Sequence, residues 1–158
     1  MVLNIRRVVT GHDDAGRAIV KIDEVSSNIK NNRPGATSCV VWSTNEWPIS
    51  SDGDADPTNR IIGTTEPDGT VFRIVRYEPG VTPRRHRTDS IDYAIILSGE
   101  IHMELDDETV CLKAGDTLVQ RATLHNLVNR GSEPCVIAFE LVTARAPTVD
   151  GAALASHG

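Results

Sequence analysis

The chain has 158 residues, with 16 Lys and Arg against 22 Asp and Glu, a formal charge of −6 with histidine neutral. A domain of that length can bury roughly 70% of the surface its unfolded chain exposes, so neither a metal nor disulfides are needed merely to fold it. The acid excess argues against nucleic-acid and anionic-membrane partners, which require clustered Lys and Arg, and leaves small molecules and other proteins.

Short β-prone runs separated by turn residues dominate, and no stretch keeps apolar residues at helical spacing for three turns, so an all-β fold is predicted. Ile5 to Thr10 and Arg17 to Ile22 flank Gly11-His12-Asp13-Asp14-Ala15-Gly16, a chain reversal, and form an N-terminal hairpin. Ser38 to Thr44 is a further strand. Trp47-Pro48 and Ser51 to Pro57 form a polar surface loop whose Asp-Gly-Asp-Ala-Asp run lacks the rest of a calcium-loop pattern. From residue 70 onward strands follow at regular spacing: Thr70 to Tyr77, Asp92 to Leu97, Glu100 to Leu105, Thr109 to Leu112, Thr117 to Gln120, His125 to Asn129 and Cys135 to Val142. In Glu100 to Leu105 the alternation puts Ile101, Met103 and Leu105 on one face and His102 on the other. One domain is expected, with 1–69 an extension packed on a core of 70–145 and 146–158 a loose Ala-, Gly- and Pro-rich tail.

Cys39, Cys111 and Cys135 are an odd number, far apart, with no Cys-x-x-Cys pair, and read as free thiols in a reducing compartment. No apolar run reaches the roughly 18 residues of a membrane span, and Met1 to Arg7 lacks a signal-peptide core; a cytoplasmic location is the expectation. There is no Gly-x-Ser-x-Gly elbow and no glycine-rich phosphate loop.

The informative stretch runs from Gly80 to Gly99. Gly80, five residues, His86, then Asp92, six residues and Gly99 resembles the first cupin motif, G-x5-H-x-H-x3,4-E-x6-G, with Thr88 at the second histidine and Asp92 at the glutamate. Gly115 through His125 and Asn129 resembles the second, G-x5-P-x-G-x2-H-x3-N, one residue short before the histidine, with Arg121 at the proline and Thr123 at the second glycine. His86 to Tyr93, Leu97 to Ile101, Gln120 to Asn126 and the early Arg6 to Asp13 are similar to a narrower group of small cupins encoded in secondary-metabolite clusters and labelled oxidoreductase or dehydratase-like. The resemblance implies a double-stranded β-helix, or jelly roll, with an N-terminal β-hairpin and a small-molecule pocket between its sheets.

Within that resemblance His86, Asp92 and His125 are the candidate metal ligands. Two neutral imidazoles and a carboxylate with open positions make a facial triad suited to iron, and Mn, Zn or Ni are the other candidates. Loss of a second histidine to Thr88 removes a strong ligand, although its hydroxyl can hydrogen-bond a bound water or the substrate. A metal-free pocket using His86 and His125 as acid–base groups, and a purely structural His86–Asp92 pair, stand as alternatives. Thr88 and Gln120 join the two histidines as candidate catalytic residues; Arg84, Arg87, Arg121 and Tyr93 are candidate substrate-binding residues, with Tyr93 opposite Asp92 by strand parity. His12, His102 and His157 are expected at the surface. The chemistry expected is metal-dependent lyase, dehydratase or isomerase action on a polyketide-like or aromatic substrate, against an iron-dependent dioxygenase and a non-catalytic binder. Open strand edges predict a homodimer.

Overall fold

The computed structural model describes residues 2–158. Its strands are β1 (Arg6–His12), β2 (Ala18–Val25), β3 (Ile29–Arg33), β4 (Ala36–Thr44), β5 (Thr70–Tyr77), β6 (Ser90–Ser98) and β7 (Glu100–Glu104), then β8 (Thr109–Lys113), β9 (Thr117–Arg121), β10 (Asn126–Val128), β11 (Cys135–Thr143), β12 (Thr148–Val149) and β13 (Ala152–Ala153). A six-stranded antiparallel sheet has the order β3-β4-β5-β11-β6-β9, and a three-stranded sheet the order β10-β7-β8. The predicted strands from Thr70 onward all appear, displaced by two residues or fewer at their ends.

Alternation explains how the two sheets close on one another. Val75, Ala94, Ile96 and Ile137 from the large sheet meet Ile101, Met103, Leu112 and Leu127 from the small one in a single buried cluster. Each fully buried aliphatic side chain in it contributes about 1.5–3 kcal/mol. Between β6 and β7 the chain turns at Gly99, with φ +73°, and a Cβ there would lie 2.4 Å from the Pro134 carbonyl oxygen, so only glycine fits.

The outer face of the large sheet is covered on one side by the N-terminal segment, where Leu3 packs with Cys39 and Ile74. The β1–β2 hairpin is anchored by Arg7, 5% exposed, whose guanidinium donates to Glu24, Asp56, Thr58 and the Val41 carbonyl. β3 was not anticipated: in Ile-Lys-Asn-Asn-Arg only one residue is apolar, and an edge strand needs little more.

The tail departs from the expectation of a loose segment. Asp150 and Gly151, both with positive φ, turn β12 back on β13, and His157 pairs with Arg87 through backbone bonds of 2.8 and 3.0 Å. The Asp-Gly pair between two short β-prone segments was the signal for this hairpin. Among the described residues no helix is long and apolar enough to cross a membrane. Cys39, Cys111 and Cys135 are all free.

Candidate active site

His86 and His125 come together because their backbones form an isolated antiparallel bridge, each N–H donating to the other's carbonyl at 2.9 and 3.0 Å. Residues paired in this way project side chains to the same face. The ring centroids lie 4.4 Å apart, tilted by 50°. His86 Nδ1 contacts the Arg84 carbonyl at 3.0 Å and His125 Nδ1 contacts the Thr123 carbonyl at 2.9 Å. A carbonyl can only accept, so both Nδ1 atoms carry the proton and each Nε2 keeps its lone pair.

Electrostatics favour the same neutral state. Burial pushes His86 down to about 4, against the support of the Arg84 carbonyl, with the neighbouring His125 and the Arg84 charge adding to the depression. Burial likewise lowers His125. Both imidazoles are therefore uncharged at neutral pH.

They border a half-open cavity of about 400 Å³, a size suited to a small organic ligand. Its apolar wall includes Val40, Ile62, Val75, Leu127, Phe139 and Leu141. Asp92 reaches it from the inner face of β6, 5% exposed, where Ser90 Oγ donates to its Oδ1 at 2.5 Å and Thr88 Oγ1 lies 2.8 Å from that same hydroxyl. Burial raises the Asp92 pKa, opposed by the Ser90 hydrogen bond and the Arg73 charge.

The arrangement tests the expected metal triad. Two imidazoles with open Nε2 atoms are in the form a divalent first-row ion takes. Asp92 shares the cavity but is engaged by Ser90, and among the described residues no three His, Cys, Asp or Glu side chains come close enough to hold a metal ion. The residues present thus supply a histidine pair and not the three-ligand set.

Of the other expected residues, Arg84 lines the cavity, with its Nη2 donating to the Gly158 carbonyl at 3.0 Å. Thr88 and Gln120 do not line it. Gln120 is buried and donates through Nε2 to the Thr123 carbonyl at 3.3 Å, the same oxygen that receives His125 Nδ1, so it shapes the turn that positions the ring. Arg87 and Arg121 border a separate hollow with Leu105, Pro147 and Leu154, and Arg87 Nε donates to the Ala122 carbonyl at 3.0 Å. Tyr93 stands on the outer face of β6, 49% exposed, away from the cavity as its parity requires. His12 and His157 are exposed, whereas His102 is half-buried, with its Nδ1 enclosed and unpartnered.

Sequence reasoning missed Arg73, Tyr77, Lys30 and Arg33, which also line the cavity. The available signal was parity: Arg73 and Tyr77 share a face of β5 with Val71 and Val75, which are buried.

Two packed β-sheets with a pocket bordered by paired neutral imidazoles define a β-barrel with an interior hollow. Comparison with known proteins agrees: the cupin-domain family profile matches residues 73–142. A cupin-domain-containing oxidoreductase of Aspergillus ruber is 32% identical over 153 residues, covering 92% of this chain and 75% of the relative. Phomopsin biosynthesis cluster protein C' of Diaporthe leptostromiformis is 33% identical over 132 residues, covering 78% of this chain and 70% of that protein. Among solved structures, KdgF from Halomonas sp. has a TM-score of 0.48 at 19% identity, covering 72% of this chain and 86% of that one. The chain belongs to the cupin family.

Proposed function

We propose that this cupin is an enzyme that moves protons on a small oxygenated substrate, polyketide-like or aromatic, in a lyase, dehydratase or isomerase step with His86 and His125 as the reacting groups. The observation that carries the reading is the pair of Nδ1–carbonyl bonds, which orients both rings and leaves two unprotonated Nε2 atoms at a half-open cavity. One Nε2 takes a proton from the carbon beside a substrate carbonyl. The resulting imidazolium is destabilised by the same burial that lowers the histidine pKa values, so it readily returns the proton to a departing hydroxyl or to another carbon. Asp92, held by Ser90, accepts a hydrogen bond from a substrate hydroxyl when ionised and donates one when protonated.

Chelator-dialysed protein incubated in deuterium oxide with a panel of β-hydroxy and β-keto aromatic carbonyl compounds tests this by NMR. Deuterium is expected to enter beside the carbonyl about 100-fold or more faster than without protein, and His86→Gln and His125→Gln are expected to abolish the gain. No exchange with any compound, or exchange indifferent to both substitutions, overturns the reading.

A redox reading has its own support in the oxidoreductase name of the Aspergillus ruber relative. It requires iron and a third ligand beyond the histidine pair. Oxygen uptake by iron-loaded protein separates the two readings, since proton transfer consumes none. Binding without turnover, the remaining alternative, predicts a ligand that is retained unchanged.

We further propose a homodimer in a reducing cytoplasm. The free cysteines support the compartment. Phe72, Tyr93, Ile95, Leu97 and Val119 are exposed together on the outer face of the six-stranded sheet, an apolar area that a second copy would cover. A dimer mass by light scattering at micromolar concentration, reduced to a monomer mass by Ile95→Lys, supports it; a monomer mass in the native chain removes it.

A further inference from the structure

We infer that the cavity is a carboxylate-binding site in which the Arg73 guanidinium receives the anion, so that the ligand is an organic acid with an apolar body. As a statement about substrate, this rests on the proton-transfer reading; as a statement about binding, it stands without it.

The position of Arg73 is the first reason. It lies in the middle of β5, a strand with neighbours on both sides, on the face it shares with Val71 and Val75. Its cross-strand partners are Val40 and Phe139, both apolar. A cation placed among such side chains loses hydration and is retained only where something opposite in charge meets it.

Among the described residues no carboxylate forms an ion pair with it, and Asp92 acts on it only through space. Arg73 Nη2 donates to the Gly63 and Thr64 carbonyls, each at 2.7 Å, which pins that loop against the cavity. Among the described residues its Nε is enclosed with no acceptor, and its Nη1 makes no hydrogen bond. Buried donors are almost always satisfied, so a guanidinium with two unmet nitrogens on a residue lining a cavity marks a missing acceptor. Nη2 uses both its N–H groups on the loop carbonyls, so Nη1 is the donor left to meet one oxygen of a carboxylate, in a charge-assisted hydrogen bond.

The surroundings repeat the pattern. In this acidic chain Arg6, Arg7, Arg17, Arg60, Arg76, Arg85 and Arg130 each pair with a carboxylate. The four cations that line the cavity, Lys30, Arg33, Arg73 and Arg84, make no ion pair among the described residues. One carboxyl, Asp92, faces them, and Ser90 holds it. The excess of positive charge selects an anion, while the walls formed by Val40, Ile62, Phe139 and Leu141 select an apolar body and disfavour free phosphate.

Saturation-transfer NMR with matched probes tests the inference: benzoate against benzamide, salicylate against salicylamide and cinnamate against cinnamamide, with inorganic phosphate as a further arm. The acids are expected to bind at least tenfold more tightly than their amides, and more weakly as salt rises. Arg73→Gln is expected to weaken the acids at least tenfold, with its thermal melt recorded to verify folding. Lys30→Gln removes a cavity cation whose side chain makes no hydrogen bond or ion pair among the described residues, and is expected to weaken them two- to threefold without changing the melt. Failure of every acid to bind folded native protein, equal binding of acids and amides, unchanged acid binding in Arg73→Gln, or preference for phosphate each overturns it. The His86→Gln, His125→Gln double variant is expected to keep acid binding. Acid binding without deuterium exchange therefore removes the catalytic reading alone, whereas exchange on amides as readily as on acids removes this inference alone.

Discussion

Replacing Arg7 by methionine probes the joint that holds the N-terminal hairpin to the barrel. The Arg7 side chain is 4% exposed, and its Nε and Nη2 reach Glu24 at 3.0 and 2.6 Å. Its Nη1 reaches Asp56 at 3.1 Å, Thr58 at 3.2 Å and the Val41 carbonyl at 3.3 Å, and Nη2 makes a second, close contact with Asp56. The two acids differ. Glu24, 49% exposed, can turn to water, but Asp56, 18% exposed, keeps only the Thr58 backbone and hydroxyl donors at 3.0 and 2.8 Å. One carboxylate is then left poorly compensated, which places the loss near the low end for a broken buried pair, about 3 kcal/mol. For a chain of this length that corresponds to a fall in Tm of roughly 6–12 °C.

Circular dichroism with urea and thermal unfolding measures the loss, and pH supplies a second readout. Arg7 holds Asp56 down to about 2, first by hydrogen bonding and then with help from Thr58 and charge. A folded pKa below the ordinary carboxylate value means the pair contributes fully above about 3.9, and its contribution disappears as pH falls through about 2. The gap between native and variant protein should therefore be constant from pH 7 to about 4 and narrow toward pH 2. Adding Asp56→Asn to Arg7→Met should recover about 1 kcal/mol by removing the stranded charge. A gap below 1 kcal/mol at pH 7, or one that does not narrow in acid, refutes the reasoning.

Three further outcomes are expected. In chelator-treated protein the depressed His86 pKa contributes stability that is complete above about 6.5 and lost as pH falls toward about 4, so the native urea midpoint should drop more steeply across that window than the midpoint of His86→Gln; equal slopes would refute it. Gly99→Ala forces a side chain into a positive-φ turn and against the Pro134 carbonyl, and should cost more than about 2 kcal/mol by urea unfolding; a neutral result contradicts the turn described. Asn129 is 2% exposed and donates to the Tyr77 and Glu133 carbonyls at 3.0 and 2.8 Å, while accepting from the Gly131 amide at 2.9 Å. Asn129→Asp turns an acceptor onto two carbonyls and should cost about 3 kcal/mol in thermal unfolding, and a loss under 1 kcal/mol contradicts the bonding pattern.

The strands of the barrel were legible because each carries its own period-two pattern and ends in a turn residue. Thr70–Tyr77 was predicted to the residue for that reason. β3 was not, since an edge strand needs few apolar side chains, and the Asp150-Gly151 hairpin was obscured by the bland composition around its turn signal. The two histidines were legible through motif spacing, and the structure seats their rings together. The third expected ligand shows the limit. Parity correctly turned Asp92 inward and Tyr93 outward, but spacing could not reveal that Ser90, two residues earlier on the same face, takes the carboxylate.

Local order along the chain thus determined which segments become strands, which side of each faces the interior and which imidazoles have matching spacing, because alternation and turn chemistry operate over a few neighbouring residues. What lies opposite what was decided by the tertiary structure. The register of β4, β5 and β11 sets Arg73 between Val40 and Phe139, and the bridge between His86 and His125 joins segments almost forty residues apart. Charge balance inside a cavity depends on distances through space, and these exist only once the sheets have closed.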